Sequence, residues 1–228
     1  RDVVLVSLAR AGIPIGILLR HYIRWKYGAD VPHYAISIIR GRGIDHNAMA
    51  YLLRRYAPGQ LLFVDGWIGK GAIYGELQKE IARYEGVSPD IAVLADPADV
   101  TGLCGTHEDI LIPSSCLNCT VSGLISRTFL REDIIGKDDF HGAVYYGGLK
   151  DADLSYGFLH AIEAHFKKED HVRERVREGR GLDEVKEIAE QFAVKDLNLI
   201  KPGIGETTRV LLRRVPWKIL VDGAAWKD

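Results

Sequence analysis

An α/β fold, a largely parallel sheet flanked by helices, is predicted by three features of this 228-residue sequence. Short apolar runs alternate with longer segments of helical periodicity through the first half of the chain. A polar loop follows each of the first four runs, as at the C-terminal ends of parallel strands. Hydrophobic residues make up 47% and charged residues 27%, the balance of a globular chain with a sizeable core.

Val3 to Leu8 reads as a buried strand. The Ala9–Gly12 turn leads into a helix from Ile13 or Pro14 to Lys26, where proline suits a first turn that needs no N–H partner. His33 to Ile39 is a second, isoleucine-rich strand. A glycine–arginine loop and a helix over Asp45–Tyr56 follow. Gln60 to Val64 is the third strand, Ala72 to Tyr84 a helix, and Ile91 to Leu94 the fourth strand. Beyond this core, the pattern predicts helices over Val121–Leu130, Asp153–Phe166 and Leu182–Phe192. Short strands are expected over Ala143–Tyr146 and Trp217–Val221, and Lys167–Arg180 is a charged, solvated segment. The expected division is a core over residues 1–130 and a C-terminal extension or subdomain over 131–228.

The formal net charge of -1 gives no nucleic-acid or membrane signal. No run reaches transmembrane length, so cytoplasmic residence is the default expectation. The chain opens on Arg1 almost inside a strand, which predicts further sequence before it.

The segment Leu61 to Ala72 carries the strongest chemical signal. An apolar strand ends in Asp65, and Gly66-Trp67-Ile68-Gly69-Lys70-Gly71 leads into a helix. Turn amides and a helix N-terminus can hold phosphate oxygens, and Lys70 adds a mobile charge. The competing reading is a tight structural turn with an exposed lysine. The spacing matches neither a Walker A loop nor a Rossmann fingerprint.

These residues resemble the signature of the type I phosphoribosyltransferases, a hydrophobic strand, two acids, a phosphate loop and a helix. Asp65 matches the first acid, Gly66 replaces the second, and Lys70 stands where hydroxyl residues are usual. Arg10-Ala11-Gly12 resembles the family's pyrophosphate loop, and Arg40-Gly41-Arg42 lies where it places a flexible catalytic loop. More closely, the chain is similar to a divergent phosphoribosyltransferase-like family linked to bacterial tellurite-resistance and stress operons. Some members of that family carry the label cysteine protease StiP. The matching stretches are Val6–Gly12, Ile112–Ser114 with Thr120–Gly123, and Lys201–Arg209.

The resemblance implies transfer of ribose 5-phosphate from phosphoribosyl pyrophosphate to a nucleobase-like or other small acceptor. It implies Mg2+ carried by the pyrophosphate, and a possible homodimer. Arg10, Arg40 and Arg42 would neutralise the leaving group, Asp65 would orient the ribose, and Ala11, Gly12 and Asp65–Gly71 would seat the phosphates. The competing readings are a loop-edge salt bridge for Arg10 and an exposed basic loop for Arg40 and Arg42. Asp45 and Asp96 serve either as ligands or as caps.

Lys201-Pro202-Gly203-Ile204-Gly205-Glu206-Thr207-Thr208-Arg209 is either a second anion-binding lip, through Lys201, Thr207 and Arg209, or a loop and N-cap. Cys116 and Cys119 have C-x-x-C spacing. With Cys104 they form a zinc site only if His107 or another ligand joins them, so no metal centre is expected. Two alternatives to transfer remain. One is a non-catalytic nucleotide or phosphoribosyl sensor. The other is a cysteine hydrolase using Cys116 or Cys119, which needs a positioned histidine such as His107 or His141.

Overall fold

A computed structural model describes residues 2–110, 118–167, 181–211, 214–221 and 223. Its centre is a six-stranded mixed sheet of β1 (Val4–Ala9), β2 (His33–Ile39), β3 (Gly43–Ile44), β4 (Leu61–Trp67), β5 (Ile91–Ala95) and β6 (Cys104–Thr106). The order is β3-β2-β1-β4-β5-β6. All neighbours pair in parallel except β2 and β3, which form an antiparallel pair at one edge.

Helices α1 (Gly12–Tyr27), α2 (His46–Leu53) and α3 (Ala72–Ile81) connect the strands. Helices α4 (Ser155–Glu163), α5 (Gly181–Gln191) and α6 (Gly203–Leu211) follow in the second half. Alternation along β1 sorts its side chains between two cores. Val4, Val6 and Leu8 join Phe63, Met49 and Leu77 on one face. Leu5 joins Ile15 and Val64 on the other, with Phe158 of α4 packed against them. Asp45 caps α2 by accepting from the Ala48 amide at 2.9 Å, and its other oxygen accepts from the His141 amide at 2.7 Å. Capping is therefore the observed role of Asp45.

The four expected strands and the three helices between them match the sequence pattern closely, two short edge strands, β3 and β6, were not expected, and one shift is consequential. Strand β4 continues through Asp65, Gly66 and Trp67, because Asp65 and Trp67 pair with Val93 and Ala95 of β5. Asp65 thus lies within the sheet and not in the loop after it.

The second half departs further. Residues 122–130 form no helix: Gly123 and Leu124 take left-handed φ values of 76° and 56°, which interrupt helical hydrogen bonding. Ile125 and Phe129 instead bridge Tyr145 and Gly142, all that remains of the strand expected over Ala143–Tyr146. Residues 217–221 form no strand either. Trp217, Ile219, Leu220 and Val221 are all exposed and pair with no strand among the described residues. The expected charged segment at 167–180 lies outside the described residues after Lys167.

Gly12 begins α1 where the helix crosses β4. A Cβ there would stand 2.3 Å from the Val64 carbonyl oxygen. Because the obstacle is backbone, it cannot swing aside. Gly12→Ala is expected to destabilise the fold by roughly 1–3 kcal/mol or more. A denaturant midpoint equal to that of the parent protein would show that α1 shifts freely on the sheet.

Candidate functional site

The C-terminal ends of β1, β4 and β5 form one polar edge, where the chain runs from the centre of the sheet in both directions. A cleft of about 220 Å³ opens there. Ala11, Arg40, Asp65, Trp67, Ile68, Gly69, Lys70, Gly71 and Lys201 line it, so most residues singled out in the sequence do converge. Arg10, Gly12, Arg42, Gly66 and Thr207 do not line it. Arg10 donates to the Ile125 carbonyl at 3.0 Å, Arg42 is exposed in the β2–β3 turn, and Gly66 is buried in β4. Thr207, inside α6, donates to the Lys201 carbonyl at 3.2 Å, a bond within its own segment. The Arg209 side chain lies outside the described set.

The cleft's cations are engaged by the chain itself. Lys70 Nζ donates to the Ile200 carbonyl at 2.5 Å and pairs with Glu206 at 3.0 Å. Arg40 donates to Asn198 Oδ1 at 2.8 Å. Burial, then the neighbouring Lys70, lowers the Lys201 pKa from the ordinary lysine value. Burial pushes the Asp65 carboxyl up to about 7, only partly opposed by the Gly66 N–H donating to it at 2.7 Å. A carboxyl that holds its proton near neutrality is poorly suited to magnesium or ribose hydroxyls.

A second constellation lies beside the cleft, on β5 and β6. The Asp96 and Thr106 backbones are joined, Asp96 N–H donating to the Thr106 carbonyl at 2.9 Å. That join sets Cys104 and His107 against the loop after β5. Cys104 Sγ stands 3.4 Å from His107 Nε2. The Nδ1 of the same ring lies 2.8 Å from the Asp96 main-chain oxygen and therefore donates to it. This bond leaves Nε2 as the basic nitrogen. The sulfur, also 3.7 Å from Nδ1, lies against the ring, and a turn of the cysteine side chain would bring it onto the Nε2 lone pair. The carboxylates of Asp99 and Asp96 lie 3.5 and 3.8 Å from Nδ1.

Asp96 is fully buried, and burial raises its pKa against hydrogen bonds from the Thr101 and Val100 amides. Those two bonds make it the cap of the 96–101 turn. Asp99 folds back over His107 through a left-handed φ of 53°. Asp96, Cys104 and His107 each offer one ligating atom within 4.8 Å of the others.

Sequence reasoning looked for a nucleophile at the C-x-x-C pair and passed over Cys104. Cys116 lies outside the described residues, and Cys119 begins a single helical turn at residues 119–121. The available signal was Cys104-Gly105-Thr106-His107 directly after the acid-rich Asp96–Asp99 turn. It lacks a recognisable motif because its partners meet only by strand pairing.

The profile of the family described as "Tellurite-like stress resistance cysteine protease StiP" matches residues 1–163. The chain belongs to the StiP family. A curated relative named "Cysteine protease StiP", from Acinetobacter baylyi (strain ATCC 33305 / BD413 / ADP1), is 36% identical over 245 aligned positions. That alignment takes in 99% of this chain and 64% of the relative, so the chain spans just under two thirds of its relative's length. A second profile, described as a PELOTA RNA binding domain, matches residues 179–228.

These findings correct three expectations. The StiP match carries a cysteine-protease name and not a transferase one, which overturns phosphoribosyl transfer from phosphoribosyl pyrophosphate. The expected Mg2+ falls with it, since the cluster of potential metal-binding side chains among the described residues is the cysteine–histidine–aspartate group. The reading of no nucleic-acid partner is overturned by the PELOTA match. Charge gives no signal even over the matched segment, where nine basic side chains stand against eight acidic ones, and the basic excess is confined to its C-terminal part. From Lys195 onward, Lys195, Lys201, Arg209, Arg213, Arg214, Lys218 and Lys227 face only Asp196, Glu206, Asp222 and Asp228. Among the described residues, no helix is long and apolar enough to cross a membrane.

Proposed function

We propose that this StiP-family chain is a thiol hydrolase of the peptidase type. Cys104 is its nucleophile, His107 its general base and acid, and Asp96 and Asp99 its orienting groups. The observation that carries the reading is the 3.4 Å approach of Cys104 Sγ to an imidazole whose far nitrogen is tied to the Asp96 carbonyl. His107 Nε2 takes the thiol proton, and the thiolate forms a bond to the substrate carbonyl carbon. Collapse of the tetrahedral adduct expels the amine, which leaves with the proton from His107. Water, deprotonated by the same nitrogen, then releases the acid and restores the thiol.

The adjoining cleft, with Ala11, Arg40, Asp65, Trp67–Gly71 and Lys201 on its walls, is assigned to the substrate. It shares the edge with the thiol centre, since the Ile68 amide donates to the Ala95 carbonyl immediately before Asp96. The family resemblance to phosphoribosyltransferases is retained for the fold of the core alone. Incubation with peptidyl acyloxymethyl ketones, followed by peptide mass mapping, tests the assignment. Label on Cys104 that disappears in His107→Ala is expected. An unlabelled Cys104 across a broad peptide set would sink it.

The PELOTA match supports a second element, RNA binding by residues 179–228. Trp217 is 78% exposed, and its ring meets Phe192 edge-on at 6.3 Å. Lys218 lies over both rings, 4.6 Å from Phe192 and 5.4 Å from Trp217. An exposed indole beside a cation suits base stacking. Trp217→Ala is expected to weaken single-stranded RNA binding by roughly 5- to 150-fold, the worth of one stacked base. Equal affinity of parent and variant in a fluorescence-anisotropy titration would remove Trp217 from the surface.

A further inference from the structure

We propose that Cys104, His107 and Asp96 also form a Zn2+ site, and that the bound ion holds the thiol centre closed. Its inhibitory consequence rests on the thiol-hydrolase reading above; the binding itself does not.

Donor chemistry and spacing carry the inference. Thiolate, imidazole and carboxylate are the three protein donor types of zinc. At ordinary Zn–S, Zn–N and Zn–O lengths, a tetrahedron has edges of about 3.4–3.6 Å. Cys104 Sγ lies 3.4 Å from His107 Nε2, the length of one such edge, and 3.7 Å from Nδ1, so a turn of the cysteine side chain is needed to bring sulfur and Nε2 onto one ion. The full set of ligating atoms falls within 4.8 Å, so the remaining donors need only a modest side-chain adjustment to close on an ion.

The surroundings are those of a built metal site. The His107 Nδ1 bond to the Asp96 carbonyl, 2.8 Å, is the outer-shell contact that fixes a zinc-binding imidazole and leaves Nε2 for the metal. Asp96 is fully buried, and among the described residues its Oδ1 has no hydrogen-bond partner. Asp99 places a second carboxylate oxygen 3.5 Å from Nδ1. The soft thiolate selects Zn2+ over Mg2+ or Ca2+.

Binding replaces the thiol proton by the metal: Cys104–SH and Zn2+ give Cys104–S–Zn+ and H+. The sulfur lone pair and Nε2 are then both committed, so neither is available to attack a carbonyl.

Metal-free full-length protein titrated with Co2+ tests the site through the thiolate-to-cobalt charge-transfer absorption. A band saturating at one equivalent is expected, displaced by Zn2+ and retained in Cys116→Ser/Cys119→Ser. Cys104→Ser should lose it, and His107→Gln or Asp96→Asn should weaken binding by on the order of 100-fold. Circular dichroism checks that each variant is folded. Independently of any variant, Zn2+ at ten times its Kd should slow alkylation of Cys104 by iodoacetamide about tenfold, by mass action. No band, a band that survives in Cys104→Ser, or an unchanged alkylation rate overturns the proposal. Absent metal binding with Cys104 still labelled by the ketone probe leaves the hydrolase reading intact. Metal binding without ketone labelling removes that reading and leaves the zinc site.

Discussion

Replacing Cys104 by serine is expected to lower kcat/KM for a cleavable peptide by at least ~10³-fold while leaving the fold intact. The change keeps the shape of the side chain. It exchanges a thiol for a hydroxyl, a far weaker acid. His107 Nε2, 3.4 Å from the sulfur, is placed to accept a thiol proton. His107→Ala should cost a similar factor, and the double variant little more, because the two side chains act as one unit. Serine at Cys116 or Cys119 should leave turnover close to that of the parent. Full turnover in Cys104→Ser, or collapse of turnover in the Cys119→Ser protein, would move the nucleophile elsewhere.

The second large effect concerns stability and belongs to Asp65. Its carboxyl ionises near 3.8 in an unfolded chain and at about 7 in the fold, because the β4 interior disfavours the charged form. Between those values the folded protein keeps a proton that the unfolded chain has lost. Stability therefore falls as pH rises from about 4 to about 7 and levels off above that, by up to about 4 kcal/mol for a shift of three units. Asp65→Asn is neutral in both states, and its amide oxygen can still accept from the Gly66 amide. Urea unfolding of the two proteins should give similar stabilities near pH 4 and a growing advantage for the variant towards pH 8. Other titrating groups cancel in the difference, so parallel profiles would show that Asp65 ionises normally.

The legible part of the sequence was the part governed by local pattern. The run His33–Ile39 became a strand with the expected bounds, and the Asp65–Gly71 segment reached the C-terminal edge of the sheet as its position implied. Asp65 itself was misplaced by a short step with a large consequence. Two more residues paired with β5, which drew its carboxyl into the sheet. Lys70 was recognised as important, but its partner Glu206 lies far along the chain, and no local pattern announces that contact. Cys104 was weighed only as a possible metal ligand beside Cys116 and Cys119. Its chemistry depends on His107 turning back towards Asp96.

By itself the sequence determined the α/β core, the edge on which polar loops collect and the glycine loop after β4. These follow from apolar periodicity and from the steric freedom of glycine, which neighbouring residues express without help. Only the tertiary structure decided which polar groups on that edge face one another. It joined Asp96 to the strand holding Cys104, tied His107 by its far nitrogen, and closed Lys70 onto Glu206. The reason is physical: donor–acceptor pairing and desolvation depend on distances of a few ångströms between segments that sequence spacing leaves unspecified.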